Sequence, residues 1–186
     1  MKKKRSFGDS QTARFLFRLI APIMESPLRR RFFDPNRTLK GAGICSGQQV
    51  LEVGCGTGFF TIPAAALVGD AGCVYAVDPH PLAIEQVVRK IRDAGLINVR
   101  LVKTDATEPG LAKDSMDLVL LFGVIPSPTL PVDRLLPEMH RVLKPGGTMA
   151  VWTAFPWWLP ASLTRGRLFA YVGKENGVHN FRKISD

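Results

Sequence analysis

The 186-residue sequence has no unbroken apolar run of the roughly 18–20 residues that a membrane-spanning helix needs, so no such helix is expected. Cysteine is scarce. Cys45, Cys55 and Cys73 are odd in number and lack paired CxxC spacing, which argues against a disulfide framework or a zinc site. They read as reduced thiols of a cytoplasmic protein. Histidine is equally sparse, and no cluster with metal-ligand spacing is visible. The opening residues lack a long apolar segment followed by a small-residue cleavage site, so no secretory signal is expected. Acidic residues are outnumbered, leaving a net charge of +9, with basic groups at Lys2 to Arg5, Arg29 to Arg31, Arg165, Arg167, Arg182 and Lys183. Such a balance suits nucleic acid, an anionic membrane or an acidic substrate, or serves solubility alone. No RNA-reading motif or interleaved aromatic pattern accompanies it.

What is present is a globular composition, 46% hydrophobic and 22% charged, in a chain of one-domain size. The organising stretch is Val50-Leu51-Glu52-Val53-Gly54-Cys55-Gly56-Thr57-Gly58, followed by Phe59 to Ala66. It reads as a buried strand, a glycine-rich turn and a helix. Glycine permits close backbone approach and positive φ, and a helix starting after such a turn directs free N–H groups at a ligand. A dinucleotide fingerprint would need its third glycine at position 59, where this chain has Phe59. Glu52, two places before the first glycine, would face an amine better than a pyrophosphate.

Before this cradle lies a basic extension, taken as residues 1–40, with a cofactor-binding domain over 41–186. From Gln11 to Met24, Phe15, Leu16, Leu19, Ile20 and Ile23 form an apolar helical stripe, with Arg14 and Arg18 on another side. Pro22 should shorten or kink this helix. It is expected to pack as a lid over the cleft or to lie on a membrane surface. Pro27 to Phe33 reads as a short helix with a basic face, followed by an Asp34-Pro35-Asn36 turn.

After the cradle, strands and helices alternate, as a doubly wound sheet requires. Phe60–Val68 is the first crossover helix. Cys73–Asp78 is the second strand, and Asp78 at its carboxyl end is placed to accept from both ribose hydroxyls of a nucleoside. It could instead cap the helix over Pro81–Ala94. The third strand is Val99–Lys103 and the fourth, a nearly continuous apolar run, is Ser115–Phe122. Pro126 to Thr129 is a stiff loop. A helix over Val132–Leu143 leads through Lys144-Pro145-Gly146-Gly147 into a fifth strand, Thr148–Thr153. Glu175-Asn176-Gly177, between two short apolar runs, signals a closing hairpin.

In that order, these motifs resemble the class I S-adenosylmethionine-dependent methyltransferases, whose first motif is an acidic residue, one more position and Gly-x-Gly-x-Gly. The similarity runs from Gln49 to Thr153 and is nearest to the small single-domain enzymes related to ubiquinone and menaquinone biosynthesis. It implies a doubly wound, mostly parallel, seven-stranded Rossmann-like α/β sheet with an antiparallel last strand, preceded by the helical extension. It implies S-adenosylmethionine as cofactor, bound by Glu52, Gly54, Cys55, Gly56, Gly58, Asp78, Pro79, Asp105, Ala106 and Phe122. Asp105 and the Ala106 N–H would read adenine, unless Asp105 is a plain turn residue, and the segment Phe122-Gly123-Val124-Ile125 would border the methyl group.

The implied activity is in-line methyl transfer to a small-molecule acceptor, class EC 2.1.1, without a metal. A degenerate methyltransferase-like protein, binding RNA or a membrane through its basic arm, is the alternative, and an NAD-dependent dehydrogenase is disfavoured by Phe59. Many relatives carry a histidine just past the fourth strand, where this chain has Gly123-Val124-Ile125. No catalytic residue is therefore assigned. His80 is expected at the cofactor rim, His140 as a solvated or capping residue, and His179 on the last hairpin.

Overall fold

The computed structural model describes residues 11–26, 33–125, 130–153, 163 and 167–185. The basic tip, most of the expected Pro27–Phe33 helix, the Pro126–Thr129 loop and the Trp157-Trp158 segment lie outside these residues.

Seven strands form one sheet in the order β3-β2-β1-β4-β5-β7-β6. They are β1 (Gln49–Val53), β2 (Cys73–Val77), β3 (Val99–Val102), β4 (Met116–Phe122), β5 (Leu143–Trp152), β6 (Phe169–Glu175) and β7 (Val178–Lys183). The first five run parallel, while β7 is antiparallel to both β5 and β6. The described helices are α1 (Gln11–Met24), α2 (Pro35–Gly41), α3 (Thr61–Val68), α4 (Pro81–Asp93) and α5 (Val132–Val142). The expected doubly wound architecture is observed.

Alternation along the strands divides the core between the two faces of the sheet. Leu51, Val53, Val119 and Leu121 pack with Leu135, Met139 and Val142 of α5. Val50, Leu118 and Leu120 pack with Ala64, Ala65 and Val68 of α3 and with Leu39 of α2. Leu39 is fully buried, so the boundary drawn at residue 40 cuts through a helix that shares this core. Gly41 reinforces the tie: its carbonyl accepts from Asn180 Nδ2 at 2.8 Å, and a side chain there would meet the Glu175 carbonyl.

Element boundaries fall within a few residues of expectation, with one informative difference. β5 begins at Leu143, directly after α5, so Lys144-Pro145-Gly146-Gly147 is a bulge within the strand. Met116 pairs with Leu143 and Leu118 with Thr148, so several residues on β5 oppose Asp117 alone. Asp117 anchors the bulge by accepting from Lys144 Nζ at 2.7 Å and from the Gln49 N–H at 2.8 Å. The closing hairpin turns at Asn176-Gly177, with φ of 48° and 83°. Two successive left-handed residues make the two-residue turn that matches strand twist. Lys183, counted with the basic tail, is a buried structural group bonded to Asp114 and to the Leu143 carbonyl.

Candidate functional site

Strand order reverses between β1 and β4: the chain leaves β1 toward β2 and β3, then returns to lay β4 on its other side. Ligand sites of such sheets lie at the carboxyl ends of the strands flanking this point. Gly54, Cys55, Gly56, Thr57 and Gly58 occupy that position. All three glycines have positive φ, 72°, 52° and 80°. The turn is hung on the neighbouring strand, with the Gly54 and Cys55 N–H groups donating to the Val77 carbonyl at 2.7 and 3.1 Å.

Each glycine has its own reason. A Cβ on Gly54 would run into the Val124 side chain, and one on Gly58 would press on Val87 of α4 at 3.1 Å. Among the described residues, a Cβ on Gly56 would make only ordinary contacts, with the methyl Met24 Cε at 3.5 Å and the Gly54 carbonyl oxygen at 4.0 Å. Gly54→Ala is expected to cost about 2–4 kcal/mol, combining the left-handed backbone penalty with the clash. Chemical denaturation measures it, and Val124→Ala in that background should recover the clash component alone.

Asp78 follows β2 directly and is 8% exposed. Its Oδ2 accepts from the Gly56 N–H at 2.9 Å and its Oδ1 from the His80 N–H at 2.8 Å. Burial pushes this carboxyl above its ordinary value, opposed by those two hydrogen bonds. Asp78 does not cap α4. His80 does, its Nδ1 accepting from the Leu82 N–H at 3.2 Å. Capping by His80 leaves the aspartate joined to the glycine turn.

The remaining expected residues divide. Pro79 is half-buried beside Asp78, and Ala106 is buried in the loop after β3. Asp105 is exposed, with Oδ1 accepting from both the N–H and hydroxyl of Thr107, at 2.9 and 2.8 Å. One of its oxygens is thus engaged in a local turn. Glu52 lies behind the turn rather than open to the cleft: it is 2% exposed, and Oε2 accepts from the Thr61 hydroxyl at 2.6 Å. Desolvation by burial pushes its pKa from 4.5 to about 8, moderated by that hydrogen bond and raised further by Asp78. Cys55 is buried too, and burial with the nearby carboxylates raises its thiol, so it is a packing residue with no thiolate character. Phe122 turns its ring into the core against Phe60, centroids 4.9 Å apart. Its place at the mouth of the turn is taken by Val124, which lies beyond the end of β4, because Gly123 between them has a φ of 70° and takes the chain out of the strand's alternation. Phe59 joins the same aromatic cluster with Phe33 and Phe60.

Sequence reasoning did not single out Phe17, Met24, Thr57 or Thr61, and it had Val124 only as part of the segment after β4. Thr57 is fully buried, and its hydroxyl has no partner among the described residues. Phe17 stacks on His80 with centroids 4.7 Å apart. Glu25, just past α1, pairs with Lys90 of α4 at 2.6 Å. With Met24 over Gly56, these contacts lay α1 across the cleft, and the helix ends two residues after Pro22. His140 Nε2 lies 2.8 Å from the Ile184 carbonyl, and His179 Nδ1 lies 3.3 Å from the Tyr171 hydroxyl on the outer hairpin. Both histidines are thus engaged in structural contacts.

A family model described as "Methyltransferase domain" matches residues 50–147. The chain belongs to this methyltransferase family. It is 37% identical over 95 residues to an aklanonic acid methyltransferase of Streptomyces sp. (strain C5), covering 51% of this chain and 40% of that one. It is 40% identical over 112 residues to the demethylmenaquinone methyltransferase of Staphylococcus aureus, covering 60% and 45%. The chain spans less than half the length of these curated relatives. In three dimensions it is similar to a SAM-dependent methyltransferase from Aquifex aeolicus, with a TM-score of 0.70, 24% identity and coverage of 90% and 97%; that likeness concerns the fold. An arsenic(III) S-adenosylmethionine methyltransferase from Chlamydomonas reinhardtii is 34% identical with a TM-score of 0.54, over 67% of this chain and 44% of that one.

S-adenosylmethionine is the cofactor that goes with this family, and the residues present fit it. Among the described residues, the one side chain over the Gly56 backbone is Met24, which meets it through its terminal methyl. Beside it stand the orphaned Thr57 hydroxyl and a buried carboxylate at the end of β2. Among the described residues no group of His, Cys, Asp and Glu could hold a metal ion, and no helix is long and apolar enough to cross a membrane.

Proposed function

We propose that the chain transfers a methyl group from S-adenosylmethionine directly to a small-molecule acceptor. The observation that carries this reading is the Asp78–Gly56 hydrogen bond at the strand-order reversal, which joins a buried carboxylate to a glycine turn. When bound, the cofactor supplies an already activated methyl on a sulfonium. The protein's work is then to orient, to desolvate and to hold the acceptor at near-contact distance, which is worth about 7–11 kcal/mol in well-aligned cases. Asp78 would accept from the ribose hydroxyls, while the turn backbone at Gly54 and Gly56 would carry the methionine end. Ala106 and Asp105 would meet the adenine, and Pro79 its ribose side. The α1 helix would exclude water, its Met24 and Phe17 forming the cover.

The mouth of the turn is lined by Val124, in the stretch Gly123-Val124-Ile125. This apolar lining, together with relatives named for demethylmenaquinone and aklanonic acid, supports a hydrophobic organic acceptor. Cys45, Cys55 and Cys73 are all free, which supports a reducing, cytoplasmic setting.

Calorimetric titration with S-adenosylhomocysteine, with NAD as comparison, tests the cofactor assignment. Micromolar affinity, about −8 kcal/mol, is expected for the former and no heat for the latter. A folded protein that binds neither would overturn the reading. Methyl transfer from labelled donor to a panel of quinones and aromatic acids would then identify the acceptor.

A further inference from the structure

The α1 helix has two apolar faces. Phe17, Ala21 and Met24 look inward: Phe17 stacks on His80, Ala21 is 4% exposed and Met24 lies over Gly56. These explain why the helix sits where it does. They do not explain Phe15, Leu19 and Ile23, one turn apart along another face, which are 65%, 56% and 69% exposed, with Ile20 beside them at 40%. The other two amphipathic helices cover their large apolar residues fully or in part, with Leu135, Leu136, Met139 and Val142 buried in α5 and Val87 in α4, where Val88 alone, at 48%, is exposed. Isolated exposed apolar residues are ordinary, but four large ones on one side of one helix form a patch, and patches of that kind mark interaction sites.

The charge pattern selects the occupant. Residues 11–24 contain arginines at 14 and 18 and no acidic residue, and Lys2-Lys3-Lys4-Arg5 stands ahead of them, separated by five residues of which Asp9 is the one acidic group. Arg18 is exposed. The nearby Glu25 is turned toward Lys90, away from this pattern. An apolar stripe flanked by basic residues is the pattern of a helix lying in the plane of an anionic lipid interface. A second copy of this chain fits less well, because each copy carries +9 and would bring the same basic segment to the contact. Nucleic acid would engage the cations but leave Phe15, Leu19 and Ile23 against phosphate and water.

We infer that the outer face of α1 docks on an anionic membrane surface, with Phe15, Leu19 and Ile23 entering the interface and the surrounding basic residues meeting lipid phosphates. The inner face of the same helix covers the glycine turn, so docking places the cleft at the lipid boundary. The inference stands on the outer face alone and does not require the methyl-transfer reading.

The test is co-sedimentation of the full chain with vesicles of mixed phosphatidylglycerol and phosphatidylcholine, and with phosphatidylcholine alone. Binding to the anionic vesicles is expected, weakening as salt is raised. The triple variant Phe15→Ser/Leu19→Ser/Ile23→Ser should bind about 10-fold or more weakly, while its affinity for S-adenosylhomocysteine and its circular dichroism stay unchanged. If the triple variant loses its fold, Ile23→Ser alone serves, with a smaller loss expected. Absence of vesicle binding by the wild-type chain, or equal binding by the variant, would overturn the inference. So would light scattering that shows a dimer broken by the same substitutions, or RNA binding that outlasts them without any vesicle binding. Failure of the cofactor titration with vesicle binding intact would count against methyl transfer and leave docking standing.

Discussion

Asp78→Ala is expected to weaken S-adenosylhomocysteine binding by about 100-fold or more while leaving the protein folded. Under the proposed ribose contact, the variant loses two hydrogen bonds to a charged group, each worth about 1.5–3 kcal/mol, and 100-fold is about 2.7 kcal/mol. The stability side works differently. Burial holds the Asp78 carboxyl above its ordinary value, so the fold favours the neutral form and its ionisation at neutral pH costs stability. Removing it offsets part of the loss from leaving the Gly56 and His80 N–H groups without their acceptor. Calorimetry and thermal melting on the same variant separate the two effects. Equal collapse of affinity and stability would make Asp78 a structural residue and remove its role at the ribose.

Affinity should also fall on acidification, because only the ionised carboxylate accepts from both hydroxyls. That loss should set in as pH drops through the folded-state pKa, which lies above 3.8. Asp78→Asn should bind better than the alanine variant and show a flattened acid limb.

The second large effect is the pH dependence of stability set by Glu52. Its folded-state pKa of about 8 lies above the ordinary 4.5, so between these values the folded chain holds a proton that the unfolded chain has released. Stability must therefore decline as pH rises through that window and level off above about pH 8. A tenfold difference in proton affinity is worth about 1.4 kcal/mol, so the decline amounts to several kcal/mol. Glu52→Gln retains an oxygen to accept from Thr61 and cannot ionise. Urea denaturation from pH 5 to 9 should show the wild-type slope flattened in the variant, with the variant more stable at the alkaline end. Identical pH profiles would mean that Glu52 is solvated or paired in solution, against its buried place beneath α3.

Glu52 also shows where residue order and three-dimensional placement part company. An acidic residue two positions before a glycine turn can be recognised in a sequence, but the face of the strand it occupies cannot. The packing of α3 on β1 sends this carboxyl under Thr61 instead of into the cleft. Phe122 is a similar case. Its position at the end of β4 was legible, yet its ring packs on Phe60 in the core, and the positive φ of Gly123 ends the strand's alternation and leaves Val124 at the mouth of the turn. For His80, the distance from Asp78 was plain in the sequence, whereas its capping of α4 and its stacking on Phe17 required the helices to be in place.

The local chemistry of the chain determined a good deal by itself. Glycines at 54, 56 and 58 require a turn that tolerates positive φ, continuous apolar runs such as Leu118 to Phe122 require a central strand, and Asn176-Gly177 requires a tight hairpin. These are short-range demands, met within a few residues, and they set the element order and thereby the doubly wound sheet. Tertiary structure alone decided which groups meet across the sequence: Asp78 with Gly56, Val124 with Gly54, Asp117 with Lys144, and α1 with the cradle. It also decided that α1 is a lid on one side and bare on the other, since an apolar stripe states that a helix will be covered but not by what. The covering surface is assembled from distant parts of the chain, and its shape exists only once the sheet has closed around them.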